Sequence, residues 1–411
     1  MRVSSSLAEH LRLVGRLTVP LYLPTFLLSL GQGILVPTLP LFAHSFGVSF
    51  TLVTLAIGIQ GFGTLAASVP GGFLLARAGG RRVMIAGTAV VTASSLALPF
   101  SGLFPFVILY RLVGGLGVAL WMVSRFAYIA EAVPLAQRGR AAALFGGTNR
   151  AGMFVGPVIG GVLAEQVGME VALLSSAAAA GLALVLVMLP GDPEADFRPY
   201  VQRRSLMAGL LAAVRRKPWE ITSASTAQFL IQCIRGGRTT LLPLYGSFVI
   251  GLDVDTVGVI VGVSSLIDMV FFLPAGLIMD RFGRKFASVP AFVMLSAGML
   301  FVAFSYDAIT LFLAATLMSV GNGFGSGSMM TLGADLSPPE ARGEFMGFWR
   351  LVGDSGSTGG PLLVGGVADL WGLTTAAVAV AATGALAVLT LGLFVPETLR
   401  SQIGSPRGSS P

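Results

Sequence analysis

Long runs of apolar residues dominate the chain, and short polar or charged stretches separate each run from the next. A helix needs about 20 mostly apolar residues to cross the roughly 30 Å hydrocarbon layer of a bilayer. Runs of this length recur throughout, so the pattern predicts an all-α membrane protein with twelve transmembrane helices, several of them long enough to tilt or kink. We number them as spans one to twelve, at 17–43, 50–75, 83–103, 105–131, 141–164, 170–189, 220–249, 255–279, 286–306, 308–334, 345–368 and 373–395.

The composition supports a membrane protein and excludes several other classes. Of the 411 residues, 54% are hydrophobic and 11% are charged, whereas a soluble domain carries about 25% charged residues. Cys233 is the one cysteine and lies within a span, and the two histidines are His10 and His44. These counts exclude a disulfide framework and a cysteine or histidine metal site. We expect no cleavable signal peptide, because a short basic segment runs straight into span one.

Positive charge falls mainly in alternate loops. The formal net charge is +7, and 20 of the 26 Lys and Arg residues lie in the termini, the 190–219 segment and the loops after spans two, four, eight and ten. The other six loops hold no base and carry acids such as Glu165, Asp253 and Asp307. This is the positive-inside pattern. We therefore expect both termini and the 190–219 segment to be cytoplasmic, and we expect no nucleic-acid partner.

The second half of the chain repeats the first at a shift of 204 residues. At that shift PGGFLLARAGGRR (70–82) matches PAGLIMDRFGRK (274–285), and GMFVGPVIGG (152–161) returns in GSTGGPLLVGG (356–366). The repeat predicts two pseudo-symmetric six-helix bundles, 1–189 and 220–411, the second ending in a short cytoplasmic tail. A polar, proline-bearing linker at 190–219 joins them. Duplicated bundles suit alternating access, in which two halves rock about a site near the middle of the membrane.

Four motifs resemble those of the major facilitator superfamily, and the resemblance covers nearly the whole chain. GLIMDRFGRK (276–285) fits the loop motif G-x-L-x-D-R-x-G-R-R, and LGQGILVPTLP (30–40) is similar to the first-span motif. RLVGGLG (111–117) is similar to the fourth-span motif, and GMFVGPVIGG to the span-five motif of proton-coupled drug antiporters. The resemblance implies a twelve-span transporter fold in which spans one, four, seven and ten line the substrate cavity.

Span five places its glycines on one helical face. Gly152, Gly156 and Gly160 recur at i, i+4 and i+8, Gly161 lies beside them, and Pro157 bends the helix. Small residues at such positions allow close backbone contact in lipid. We expect this face to press against a helix of the opposite half, and the resemblance assigns it to the periplasmic seal; ordinary tight packing is the alternative. The equivalent residues of span eleven are Gly356, Gly360, Pro361 and Gly365.

The loop motif predicts a conformational latch. The carboxylate of Asp280 can accept hydrogen bonds at the N-terminus of span five. Its first-half equivalent, Ala76, cannot act in this way, and Gly80 replaces the usual base. We therefore expect one cytoplasmic latch in the outward-facing state; bases that serve only as topology anchors are the alternative. The motif residues are Gly72, Arg77, Arg81 and Arg82 in the first half and Gly276, Asp280, Arg281, Gly283 and Arg284 in the second.

Ionisable residues inside spans are costly and usually functional. Asp268 and Asp354 are embedded acids that can carry a proton, and Glu131 at the end of span four is a third candidate. We expect an Arg235–Asp268 pair, and an i, i+4 pair of Arg350 with Asp354. Permanent ion pairs that fix helix register are the alternative to proton coupling. The ionisable residues within the spans are Arg111, Arg125, Arg150, Arg235, Arg238, Arg350, Asp268 and Asp354.

The embedded arginines suit carboxylate or phosphate contact. Arg111 and Arg125 share a face of span four, and Arg235 and Arg238 share a face of span seven. The resemblance favours coupling or gating for Arg111. For the span-seven pair, bonding to Asp268 and to backbone carbonyls is the alternative to anion contact. The predicted substrate-binding residues are Gln32, Arg111, Trp121, Arg125, Arg235, Arg238 and Asn322.

The expected function is proton-coupled efflux of amphiphilic, drug-like small molecules. The alternative is exchange or symport of an organic anion or phosphorylated metabolite through the embedded arginines. The net positive charge inside the spans, and Gln32 in a span that holds no acid, weaken the case for cationic drugs. We expect a monomer in the inner membrane with a small-molecule substrate, and no cofactor beyond a proton gradient. An enzyme is not supported, since no nucleophile–base set or phosphate loop is evident.

Overall fold

The computed structural model describes residues 17–134, 137–189, 218–338 and 342–397, and within them helices follow one another through short turns with no strand. The helices of the first half are α1 (Leu23–His44), α2 (Phe50–Ala78), α3 (Gly80–Ala97), α4 (Phe104–Ala132), α5 (Arg138–Gln166) and α6 (Met169–Met188). Those of the second half are α7 (Pro218–Tyr245), α8 (Val254–Phe282), α9 (Arg284–Val302), α10 (Ala308–Gly325), α11 (Ser328–Leu336) and α12 (Arg342–Leu389).

The helices agree with the predicted twelve-span fold. Within the described residues, nine helical stretches are long and apolar enough to cross a membrane. One of them, Arg342–Phe394, has 53 residues, and Gly372 interrupts its backbone with φ 84° and ψ 165°, so it contains spans eleven and twelve. The helices α5 and α7 carry embedded arginines and are not among the nine, although both are long enough to span. Span ten is divided into α10 and α11.

The connecting turns of the first half have equivalents in the second half, as the helices do. A positive φ strains any residue with a Cβ, so it selects glycine. The described positive-φ glycines include three pairs that are each 204 residues apart, namely Gly47 with Gly251 (72° and 79°), Gly79 with Gly283 (89° and 114°) and Gly168 with Gly372 (126° and 84°). Each pair occupies the same connection in its half. The duplication seen in the sequence therefore extends to backbone geometry.

The chain divides into two compact units. The first contains the described residues of Met1–Gln202 together with Leu252–Val263, and the second those of Arg203–Gly251 and Ser264–Pro411. In the first unit α1 packs against α5 and α6, while α4 packs against α2 and α3. In the second unit α7 packs against α12, and α9 packs against α10 and α12. The first turns of α8 thus cluster with the first unit and the rest of that helix with the second.

Candidate functional site

A pocket of about 140 Å³ lies in the first unit, between α1, α3, α4 and α5. Its apolar lining residues are Leu28, Val91, Val118, Met122 and Met153. Its polar or amphipathic lining residues are Ser29, Gln32, Trp121, Arg125 and Asn149. An apolar wall with a few fixed polar groups is typical of small-molecule sites. Three of the predicted substrate-binding residues, Gln32, Trp121 and Arg125, therefore meet in this pocket.

Packing holds the guanidinium of Arg125 in place. The residue is 6% exposed, and its guanidinium carbon lies 4.2 Å from the ring centroid of Phe145 and 5.1 Å from that of Phe126. Aromatic faces attract cations at such distances. Nearby, Nδ2 of Asn149 donates a hydrogen bond to Oγ of Ser29 at 2.6 Å, which joins α5 to α1 at the pocket wall.

Trp121 places an indole donor at the same wall. The residue is 3% exposed and forms a buried cluster with Met84 and Val187, against which Leu28 packs. Among the described residues no group accepts a hydrogen bond from its Nε1. Buried indole N–H groups usually find a partner, so this one has hydrogen-bonding capacity left over.

Two other predicted residues of α4 are absent from the lining of this pocket. Arg111 is 9% exposed, and its Nε donates a hydrogen bond to the carbonyl oxygen of Ala56 on α2 at 3.2 Å. Glu131 is exposed near the end of α4. A gating role for Arg111 and a proton-carrying role for Glu131 stay predictions.

In the second unit the structure brings together Asp268, Asn322 and Arg238. Oδ2 of Asp268 on α8 accepts a hydrogen bond from Nδ2 of Asn322 on α10 at 2.7 Å. Arg238 on α7 is 8% exposed and donates through Nη2 to Oγ of Ser319 at 2.6 Å. The carboxylate of Asp268 also acts electrostatically on Arg238. An embedded acid therefore lies in a polar cluster that connects three helices.

Arg235 bonds to neutral groups of its own unit. Its Nη1 donates to Oε1 of Gln232 at 3.0 Å, and its Nη2 donates to the carbonyl oxygen of Gly325 at 3.2 Å. Its guanidinium carbon lies 5.4 Å from the ring centroid of Phe292. These contacts favour the alternative given for span seven, in which its arginines bond to protein groups. The predicted pair with Asp268 stays a prediction.

The pair predicted on span eleven is confirmed. Nε of Arg350 lies 3.4 Å from Oδ2 of Asp354, and the two side chains are 45% and 34% exposed. Both residues lie on α12, one helical turn apart. The Asp354 carboxylate therefore has a local partner on its own helix, unlike Asp268, whose hydrogen bond crosses to another helix.

The glycine face of span five makes close helix contacts, as predicted, and three of its four glycines face a helix of the same half. A Cβ at Gly156 would lie 2.6 Å from Cα of Gly33 on α1, and one at Gly360 would lie 2.5 Å from the backbone nitrogen of Gly237 on α7. Gly152 and Gly160 also face α1. Gly152, Gly156 and Gly160 thus meet a helix of their own half, whereas the expected contact with the opposite half is made by Gly161. Glycines on both members of each pair allow two neighbouring helices of one unit to touch backbone to backbone.

Gly161 faces another helix. A Cβ there would lie 2.6 Å from the carbonyl oxygen of Val254, the first residue of α8, and one at Gly258 would lie 2.3 Å from the carbonyl oxygen of Pro157. Oε2 of Glu165 accepts a hydrogen bond from the Val254 backbone nitrogen at 3.3 Å. The helix α5 therefore contacts α1 through one set of glycines and the first turns of α8 through another.

One pair of loop-motif bases stabilises equivalent helix ends in the two halves. Nη2 of Arg81 donates to the carbonyl oxygens of Met188 and Leu189 at 3.1 and 3.0 Å, and Nζ of Lys285 donates to that of Gly392 at 2.7 Å. Bases at helix C-termini satisfy carbonyls that lack intrahelical partners. In both halves the third helix thus fixes the end of the sixth.

The neighbouring motif position differs between the halves. Nε of Arg284 lies 3.1 Å from Oδ2 of Asp335, with side chains 12% and 9% exposed. The equivalent first-half residues are Gly80 and Glu131, so this pair cannot form there. The side chain of Asp280, the predicted latch residue, lies outside the described residues.

Sequence reasoning did not identify Asn149, Ser319 or Glu397. Asn149 lies on the glycine face of span five, at i−3 from Gly152, so that periodicity was a usable signal. Glu397 accepts hydrogen bonds from the backbone nitrogens of Arg284 and Lys285 at 3.0 and 2.9 Å. Its partners are more than 100 residues distant in sequence, so local pattern could not have paired them.

Two duplicated helical units with embedded polar residues define the class as a multi-span membrane transporter. The family model of the Major Facilitator Superfamily matches residues 21–268 and 237–409, and the chain belongs to this superfamily. Its members are transporters and not enzymes, and they need no cofactor. In the part of the chain that the structure describes, no group of three or more His, Cys, Asp or Glu side chains could hold a metal ion.

Similar proteins match over nearly the full length. An uncharacterized MFS-type transporter of Methanocaldococcus jannaschii is 21% identical, covering 86% of this chain and 91% of the relative. Multidrug resistance protein MdtG of Enterobacter lignolyticus is 24% identical, covering 91% of this chain and 90% of the relative. The inward-facing, occupied structure of a bacterial homologue of the human lysosomal transporter Spinster has a TM-score of 0.78 at 13% identity, covering 93% and 96%. This likeness shows the shared fold.

Proposed function

We propose that the protein is a monomeric, proton-coupled antiporter of the cytoplasmic membrane that exports amphiphilic small molecules by alternating access. The observation that carries the proposal is the pocket of the first unit, where apolar side chains surround Arg125, Trp121 and Gln32. The name of the relative MdtG, a multidrug resistance protein, supports export of such compounds. The alternation of basic and base-free loops supports cytoplasmic termini.

Asp268 is the proposed proton carrier. It is a carboxylate within an apolar helix, it is half-buried, and it is bound by an amide from another helix. Protonation would remove its negative charge, weaken the hydrogen bond from Asn322 and weaken its attraction to Arg238. One protonation event would therefore change contacts among α7, α8 and α10, which is what coupling to a conformational change requires.

Proteoliposomes with an imposed pH gradient test the coupling. Pyranine inside the vesicles reports proton movement while a panel of amphiphiles is added, namely zwitterionic norfloxacin, cationic ethidium and anionic fluorescein. We expect at least one of them to move in proportion to the gradient. Asp268→Asn should abolish that dependence and Asp268→Glu should keep it.

Asp354→Asn is the matched control, because Asp354 is also an acid within a span but pairs on its own helix. It should retain gradient-dependent transport. If no member of the panel responds to the gradient, or if Asp268→Asn transports as the wild type does, proton coupling through Asp268 is wrong.

A further inference from the structure

Among the described residues that line the pocket of the first unit, one is a base and none is an acid. Of its ten lining residues, Arg125 alone is ionisable at neutral pH. Arg125 is buried, and its guanidinium carbon lies 4.2 Å and 5.1 Å from two aromatic ring centroids. An organic cation in the pocket would meet that charge at close range, and charges interact strongly where water is excluded.

The same wall holds the indole N–H of Trp121, for which the described residues provide no acceptor. The ring is buried in a cluster with Met84 and Val187. A ligand that brings an acceptor to this nitrogen removes the penalty of a buried, unpaired donor. Arg125 is one helical turn further along α4, so one head group can lie close to both.

The volume of the pocket limits the size of the apolar part of a ligand. Five aliphatic or thioether side chains line a space of about 140 Å³. An apolar cavity of about 150 Å³ holds one benzene ring, so this pocket accommodates a body about one ring wide.

We propose that the pocket selects amphiphiles with an anionic or strongly accepting head group, such as a carboxylate, on a body about one aromatic ring wide, and that Trp121 and Arg125 exclude organic cations. This specificity rests on the proposed function, because it takes the pocket to be the substrate site. It places anion recognition on α4 of the first unit and not on span seven.

Thermal-shift titration of the purified full chain in detergent tests the selectivity. Three probes share one 4-butylphenyl body: 4-butylbenzoate, 4-butylbenzamide and (4-butylphenyl)trimethylammonium. The benzoate should raise the melting temperature most, the amide less, and the ammonium compound not at all. Equal stabilisation by the ammonium compound, or no stabilisation by any probe, overturns the proposal.

Variants assign the selectivity to residues. Trp121→Phe should raise the Kd of the benzoate and of the amide by about tenfold, which corresponds to the loss of one hydrogen bond. Arg125→Gln should reduce the preference for benzoate over amide, and Arg125→Lys should restore part of it. Trp349→Phe is the matched control, because Trp349 of α12 is also buried and its Nε1 also lacks a partner among the described residues. If Trp121→Phe and Trp349→Phe shift the three affinities alike, the assigned role of Trp121 is wrong.

The binding assay uses no gradient, so its outcome is separable from proton coupling. If the probes bind in the predicted order but no compound is transported with the gradient, the antiporter proposal is contradicted and the proposed selectivity is supported. If the gradient drives transport but ethidium is the preferred compound, proton coupling is supported and the selectivity is contradicted.

Discussion

The two halves of the molecule share their backbone plan and differ in their charges. Both turn through glycines at equivalent positions, both bring a glycine-lined helix pair into backbone contact, and both fix the end of the sixth helix with a base on the third. The Arg284–Asp335 pair of the second half is replaced by Gly80 and Glu131 in the first. Backbone geometry is therefore the shared requirement of the fold, and side-chain charge is where each half has specialised.

The largest loss of stability should follow from substituting the glycines that form the helix contacts of both halves. Gly156→Leu and Gly360→Leu each place a side chain where a Cβ alone would lie within 2.6 Å of backbone atoms. Backbone cannot move aside as a side chain can, so each should destabilise the protein by about 3 kcal/mol or more. Melting temperature in detergent and transport in proteoliposomes measure the loss.

Gly147→Leu and Gly366→Leu are the controls for these changes. They lie on the same two helices, α5 and α12, and a Cβ at either position would have no atom of the described residues within 4 Å. Because leucine forms helix better than glycine, these variants should cost little or no stability. If they cost as much as the contact variants, close packing at Gly156 and Gly360 does not explain the loss.

An intermediate effect should follow from breaking the charge pair of the second half. Arg284→Ala leaves the nearly buried carboxylate of Asp335 without its guanidinium, which should cost about 2 kcal/mol. The double change Arg284→Ala with Asp335→Ala should cost less than the sum of the single changes, as a double-mutant cycle would measure.

Installing the pair in the first half sharpens the comparison. Gly80→Arg should gain less than about 1 kcal/mol from Glu131, because an exposed carboxylate is well solvated. A gain as large as the loss in the second half would show that the halves do not differ in burial at this site.

The smallest predicted effect on stability is that of the helix cap at the start of the fourth helix in each half. Asp307 caps α10 and accepts hydrogen bonds from Thr310, whereas the equivalent Leu103 offers α4 no side-chain cap. The Thr310 side-chain hydrogen bond lowers the pKa of Asp307 in the folded protein. Its stabilisation is therefore present above the unfolded pKa, about 3.9, and is lost as pH falls through the lower folded value.

Melting temperatures at about pH 6 and about pH 3 bracket that loss. Asp307→Asn should keep the cap and show a smaller fall between the two pH values than the wild type. Leu103→Asp should add a comparable pH dependence to the first half. An unchanged fall in Asp307→Asn would mean that other carboxyls account for the acid sensitivity.

The repeat, the helix count and the small-residue contact were predictable, because they depend on periodicity along the chain. Which helix each glycine face contacts was not predictable. Gly156 carries the same pattern whether it faces α1 or a helix of the other half, and only the three-dimensional arrangement distinguishes these.

In the candidate site, too, the sequence predicts individual residues but not the contacts between them. Polar residues inside apolar runs, such as Trp121, Arg125 and Asp268, were evident as exceptions to the pattern. Which of them share a pocket was not evident, since Gln32 and Arg125 are on different helices. The bonds from Arg235 to Gln232 and Gly325 also depend on rotamers that the sequence does not specify.

The paired positive-φ glycines carry a genetic consequence. Because the two copies are fused in one polypeptide, an intact turn in one cannot relieve a damaged turn in the other. Replacing Gly283 with any chiral residue should harm the protein even though Gly79 retains the same geometry. Duplication within one chain has therefore doubled the number of positions that favour glycine, where duplication into separate genes would have freed one copy to vary.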